Sequence, residues 1–450
     1  MQSFTFQRCR LALAPLLLSL PLFGMTSLAF SQTPATANTA SAPAGFHQYL
    51  AAVEQNNLDL QAQRETVASA QAGVSIAGLR PDPQFTAGID SKELYGPNKK
   101  NAATTTIAGI AVTLETAGKR GARIRAAESN VRLSDATLAA FKRQLFADSA
   151  AAFIEACRSS AALLRRASSL KAMRGIVLAN ETRFKAGDIG KLELVQSRVE
   201  ADRFDTEVVS AGADASAAEA GLSVFLGQPY QEVLGEHINC ELHPDPVAED
   251  LHDLLQRALE HREDVQVAKS SIDNAKDNVN LAKANRWIDP VVNLGVKNTP
   301  RVYPIQDASG ATVNSPAERS NTLGLTVTIP IPLSRMQSGE LIQAQSALTQ
   351  AQLQMRSVLL KAETEVRTTF MQYQAASQNL RSYQEHVLDD ADRLLEGVRI
   401  SYRKGSASLL DLLNAQRTAD DIYLGYLQAQ ANLANAKVKL QQSAGERPEI

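Results

Sequence analysis

Cysteine is scarce in this chain, and so are aromatic side chains and long apolar runs. Three cysteines stand among 450 residues. Cys9 lies in a leader expected to be removed, which leaves Cys157 and Cys240 and no disulfide framework to hold the fold. Aromatic residues make up 5% of the chain, while Ala, Gln, Glu, Lys and Leu are abundant. That balance excludes a bulky globular core and points to long helices. Beyond the leader, no stretch approaches the roughly 18 apolar residues of a membrane helix. An exported chain of this kind either works in water or crosses a membrane as β-strands. A charge of one sign is lacking too. The formal net charge is −2, falling to about −4 once Arg8 and Arg10 leave with the leader. No half and no stripe is basic, so nucleic acid is not a partner.

Residues 1–31 read as a secretory signal peptide. Arg8 and Arg10 precede a short apolar run, Leu11 to Leu22, broken by Pro15 and Pro21. Ala29 and Ser31 are the small residues that a signal peptidase reads, with Ser31 the last residue removed. Cys9 precedes the apolar run and so is not a lipidated cysteine. Residues 32–45, rich in Ala, Thr, Ser and Pro, form a flexible leader.

The mature chain is written twice. Phe184-Lys185-Ala186-Gly187-Asp188-Ile189-Gly190-Lys191-Leu192-Glu193 parallels Tyr402-Arg403-Lys404-Gly405-Ser406-Ala407-Ser408-Leu409-Leu410-Asp411. The same offset pairs Gly121 with Gly339 and Ala126 with Ala344. Earlier markers keep the order: Asp59-Leu60-Gln61 with Asp264-Val265-Gln266, and Asp82-Pro83 with Asp289-Pro290. An ordered set of this kind marks an internal repeat. The first repeat covers residues 46–227, a linker 228–250, the second repeat 251–442, and 443–450 form a frayed tail.

Each repeat reads helix, strand, loop, strand, long helix, turn, helix. Helices are expected at Phe46–Leu79, Gly121–Lys185, up to about Leu226, then at Leu251–Trp287, Gln337–Tyr402 and up to about Gln442. Strands are expected near Gln84–Lys92, Thr104–Leu114, Pro290–Asn298 and Asn321–Ile329. They alternate with period two: Ile110 and Val112; Leu294 and Val296; Leu323, Leu325 and Val327 form one apolar face. The alternation fits a transmembrane barrel strand as well as a half-buried sheet in a soluble domain. Four strands close no barrel, since about eight is the smallest known, so spanning strands require several copies; three copies supply about twelve. At 1.5 Å per residue the two long helices run about 97–99 Å, and the shorter ones about half that, so two short helices laid end to end match one long one. The fold class is therefore mainly α with a small antiparallel β part: two tandem repeats building a tall helical tube under a shared β-barrel.

This doubled plan resembles the TolC-like outer membrane factors, as does the aromatic-x-x-Gly turn before Leu409-Leu410-Asp411-Leu412-Leu413-Asn414-Ala415-Gln416. Asp82-Pro83 and Gly118-Lys119-Arg120 resemble the CzcC-like heavy-metal branch. The resemblance covers the mature chain. It implies a homotrimer with a 12-stranded barrel in outer membrane lipid and a helical barrel in the periplasm. The partners it implies are a periplasmic adaptor (membrane fusion protein) and a proton-driven inner-membrane pump, with no cofactor and no catalytic residue. It implies that the turns Gly187, Asp188, Ile189, Gly190 and Gly405, Ser406, Ala407, Ser408, Leu409 are adaptor-docking tips; the plainer alternative is a helix reversal that needs Gly. It also implies that Asp411 and Asn414, supported by Glu193, ring an aperture, against the alternative of an acid set at a helix start.

Three further groups stand apart from that pattern. His237-x-x-Cys240-x-x-His243 places metal-ligand residue types at close spacing in the linker, or is an incidental cluster. Lys119 and Arg120 are expected to meet lipid phosphates or neighbouring carboxylates near the barrel rim. Trp287 and Tyr303 sit near strand ends, where interfacial aromatics belong, and Glu93–Ala103 and Thr299–Ser320 are expected to be outward loops. The competing functional readings are an export duct for metal cations, the same duct for drugs, organic solutes or secreted proteins, and a water-soluble periplasmic coiled-coil scaffold.

Overall fold

The structure is a computed structural model that describes residues 45–90, 104–235, 238–240, 250–301, 303–314, 318–331 and 339–450. The signal peptide, nearly all of the flexible leader, the Glu93–Ala103 loop, His237 and His243 lie outside the described residues. The described residues fall in one compact unit, Pro43–Ile450. Among them no helix is long and apolar enough to cross a membrane.

The first repeat begins with α1 (Phe46–Asn56) and α2 (Leu58–Ala77). Strands β1 (Gln84–Asp90) and β2 (Thr105–Thr113) follow, then α3 (Lys119–Ala186) and α4 (Lys191–Leu226). A short α5 (Tyr230–Leu234) opens the linker. The second repeat has α6 (Leu251–His261), α7 (Glu263–Asn285), β3 (Val291–Arg301), a small hairpin β4 (Pro304–Gln306) and β5 (Thr312–Asn314), and β6 (Glu318–Thr328). It closes with α8 (Gly339–Ser382), a π-helical turn at Tyr383–Val387, α9 (Leu388–Arg403) and α10 (Leu409–Ala444). The 68 residues of α3 span about 100 Å, and the 36 residues of α4 and of α10 about 54 Å each.

Each repeat breaks its opening helix, where the sequence implied a continuous one. In the first, Asn57 interrupts the chain between α1 and α2. Its side chain accepts from Leu60 N at 2.8 Å and donates to Phe225 O at 2.9 Å. In the second, Arg262 stands at the matching position and donates to Ser443 O at 3.3 Å. The offset that pairs Gly187 with Gly405 also pairs Phe225 with Ser443, so the clamp itself is repeated. Gly227 and Gly445, related by the same offset, end α4 and α10 with positive φ of 68° and 85°. A side chain on Gly227 would meet Asn56 O at 2.5 Å, so that close approach of α4 to α1 requires glycine.

Four other expectations change. The Thr299–Ser320 loop is shorter than expected, because β3 and β6 extend into it and β4 pairs with β5 inside it. The long second helix passes through a π turn that α3 lacks. The tail is docked rather than frayed: Glu446 N donates to Gln441 O at 2.8 Å, Arg447 stacks 4.9 Å over Phe146, and Ile450 packs on the core. Finally, Cys157 and Cys240 form a disulfide. The expectation of none is overturned because the fold brings Cys240 against the middle of α3, leaving the two Cα atoms 5.3 Å apart.

The core is distributed along the helices. One cluster joins Phe46, Tyr49, Phe153, Ile154 and Leu226 where α1, α3, α4 and the C-terminal part of α10 meet. A second joins Leu254, Val366, Tyr373 and Leu433 between α6, α8 and α10. The third, near the two hairpin turns, joins Met173, Phe204, Leu395 and Leu412. Small residues such as Ala434 and Ala444, both fully buried, let these helices approach closely.

Candidate functional site

The sheet runs β1-β2-β3-β6, antiparallel throughout, and neither β1 nor β6 has a second neighbour among the described residues. Its register sets Phe85, Ile110, Leu294 and Leu325 side by side across all four strands. They are 73%, 51%, 53% and 69% exposed. The next row, Ala87, Ala108, Val296 and Leu323, continues this apolar face, with Val112 and Val327 flanking Val292 on the other side. A soluble half-buried sheet would cover these side chains; here nothing among the described residues does. The opposite face carries Thr86, Gly109, Gly295 and Gly324 in one row and Gln84, Ala111, Asn293 and Thr326 in another. It is small and polar, the composition of a water-filled interior.

A polar junction fastens the sheet to the helices. Lys119, almost fully buried, donates to Asp289 Oδ2 and to Trp287 O, each at 2.6 Å, and Thr116 N donates to Asp289 Oδ1 at 2.9 Å. Arg120 donates to Gly78 O at 2.6 Å and Arg123 to Leu79 O at 2.9 Å, neutralising the C-terminal end of α2. Lys119 thus meets a carboxylate, as one of the two expectations had it, whereas Arg120 holds a helix end.

The two turns are built alike and finished differently. Gly187 and Gly405 take φ of 84° and 79°, and each reversal carries paired backbone bonds back to the preceding helix. Gly187, Asp188 and Gly190 are exposed, while Ile189 tucks inward; Gly405, Ser406 and Ser408 are exposed, Ala407 is half-buried and Leu409 buried. Asp411 closes a capping box with Ser408: its Oδ2 accepts from Ser408 N at 2.9 Å and from Ser408 Oγ at 2.7 Å, and its own N–H donates to Ser408 Oγ at 3.2 Å. The Ser408 side chain, then its backbone N–H, hold the Asp411 carboxyl below its usual range. Asn414 lies one turn on and is likewise exposed.

Glu193 occupies the matching place on α4, but its cap is Gly190, which has no side chain to share. It accepts instead from Tyr402 Oη at 3.0 Å, and Tyr402 also lies 2.7 Å from Asn180 Oδ1. One hydroxyl hydrogen does not serve both acceptors fully, and the buried Asn180 Nδ2 has no partner. Turning the Asn180 amide over lets Asn180 N–H donate to Tyr402 Oη and Tyr402 O–H donate to Glu193, with Asn180 Oδ1 then the buried atom left without a partner. Burial first, and the Glu193 carboxylate second, push the Tyr402 hydroxyl upward.

A layer of charge above the turns is not evident from the sequence. Arg417 makes a two-pronged pair with Glu200, including Nε to Oε1 at 2.7 Å. Asp420 accepts from Arg165 at 3.0 Å, Ser169 at 2.5 Å and Gln416 at 3.1 Å. These bonds tie α10 to both α3 and α4. The available signal was a pair of acids at core-spaced positions: Glu200 between Ser197 and Phe204, and Asp420 between Leu413 and Leu427, all but buried. Nothing local names their partners.

Of the linker trio, the Cys240 sulfur is bonded to Cys157 and is no thiolate ligand, while His237 and His243 lie outside the described residues. Among the described residues no group of three His, Cys, Asp or Glu is placed to hold a metal.

The family model described as outer membrane efflux protein matches residues 50–228 and 254–446, one segment in each repeat. The chain belongs to that family. This outer membrane efflux protein is 25% identical over 401 residues to the cobalt-zinc-cadmium resistance protein CzcC of Cupriavidus metallidurans, covering 88% of this chain and 89% of the relative. Its fold matches a crystal structure of a membrane protein from Pseudomonas aeruginosa with a TM-score of 0.71 at 16% identity, covering 89% and 90% of the two chains. Crystal structures of CusC match with a TM-score of 0.69 at 18% identity, covering 91% and 96%. The efflux protein is a channel subunit of the outer membrane and not an enzyme. The CusC crystal structures concern folding and transmembrane channel formation.

Proposed function

We propose that this channel is the outer-membrane exit of a resistance-nodulation-division system for heavy-metal cations, carrying them passively from periplasm to exterior. The observation that carries the reading is the similarity to the cobalt-zinc-cadmium resistance protein along nearly the whole of both chains. Exposed Asp411 and Asn414 on one face of the α10 start give it a physical basis. In a trimer, three such carboxylates around one aperture draw cations toward it and repel anions. Glu193 adds a second ring, its charge tempered by the Tyr402 hydroxyl. The exposed turns at Gly187–Gly190 and Gly405–Ser408 are the surfaces for the adaptor's helical tips, with backbone left open by small side chains.

The test is complementation. The full-length channel, expressed with a metal-type pump and adaptor in cells lacking their own outer channel, restores tolerance to cobalt, zinc or cadmium. Restored tolerance to organic compounds alone rejects the metal reading and leaves the channel.

A further inference from the structure

We infer that this subunit is the substrate of a thiol-oxidising reaction outside the cytoplasm, in which Cys240 is attacked first and Cys157 resolves the intermediate. The disulfide joins positions 83 residues apart, which puts the second half of α3, the first turn, α4 and α5 inside one closed loop. Cys157 is 2% exposed, on the α3 face that carries Phe153 and Ile154. Cys240 is exposed, on the linker side that anchors to the same core through Leu234 and Ile238. Exchange needs in-line approach of a thiolate to a disulfide sulfur, so a bulky oxidant reaches the accessible thiol and not the buried one.

The chemistry balances without any further reagent. The Cys240 thiolate attacks a disulfide X–S–S–X, forming Cys240–S–S–X and releasing one X–SH after protonation. The Cys157 thiolate, brought in as the linker docks, attacks the Cys240 sulfur and releases the second X–SH. Two protein thiols are oxidised and one disulfide is reduced to two thiols. In the cell, X–S–S–X is a disulfide-bearing oxidant of the exported compartment, where such bonds persist. The order of events is export, packing of Cys157 into the α3 core with Phe153 and Ile154, adduct at Cys240, then ring closure as the linker docks.

Single variants in the full-length, detergent-purified trimer test the order, with oxidised glutathione as the probe. In Cys157→Ala, Cys240 should form a stable glutathione adduct at least about tenfold faster than Cys157 does in Cys240→Ala, since exposure governs exchange. Equal rates, or faster reaction at Cys157, overturn the assignment. Wild-type protein extracted directly from membranes and alkylated under denaturing, non-reducing conditions should show no free thiol in the mature chain. Two alkylated thiols there overturn the proposal whether or not the variants assemble.

Discussion

Asn57 shows how much one side chain settles. Its oxygen caps α2 and its amide holds the end of α4, so Asn57→Ala loses a cap and strands a carbonyl. The expected cost is about 1–2 kcal/mol, read as a lower thermal midpoint of the purified channel; an unchanged midpoint would show the clamp idle. Asp411 is tied to the start of α10 in the same local way. Its carboxyl is held below the ordinary range by Ser408, so the box is intact above that range and is lost as pH falls through the lowered value. At neutral pH it is complete. Asp411→Ala should therefore quicken tryptic cleavage after Lys404 at neutral pH. Combined with Glu193→Ala, it should raise single-channel conductance or weaken block by divalent cations. If neither property moves in the double variant, these acids serve the helix start and not the aperture.

At the scale of elements, the repeats share a plan and diverge where tertiary partners differ. Gly190 and Ser408 are equivalent N-caps, yet only Ser408 has a side-chain oxygen to bond, so Asp411 turns back to it and Glu193 reaches across to Tyr402. The Gly405 turn has positive φ and open space around the position a Cβ would take. Gly405→Val strains the reversal without meeting a neighbour, so it should abolish complementation by the pump while trimers still form. Loss of the trimer would make Gly405 a folding residue. The charged layer at Glu200, Arg417 and Asp420 works between elements: breaking one partner leaves a poorly solvated charge.

For the whole molecule, the sheet is decisive because the described residues of a single chain leave both its edges open. Open edges in contact with lipid would strand backbone donors and acceptors, so strands from neighbouring copies must pair with them. The exposed apolar rows are then expected to face the acyl chains. Leu294→Arg, at the centre of that face, should cost roughly 2–4 kcal/mol and reduce the trimer recovered from outer membranes. Asn293→Arg, one residue along and on the opposite face, should assemble normally. Equal loss in both variants would contradict the facing derived from the register.

Periodicity and repetition were enough to read the repeated helix–strand–strand–helix–helix plan, the strand faces and the positive-φ turns, because spacing along one segment sets which side a residue takes. The Phe85–Ile110–Leu294–Leu325 row follows from alternation once the strands pair. Other features depended on residues far apart in the chain. Cys157 and Cys240 look unrelated until α5 and the linker pack on α3, and that contact turned a candidate metal ligand into half of a disulfide. Glu200 and Asp420 look like misplaced charges until Arg417, Arg165 and Ser169 meet them across helices. The break at Arg262 is invisible without Ser443. Local pattern is written in neighbouring residues, whereas a partner across the fold is chosen by which helices touch and at what height.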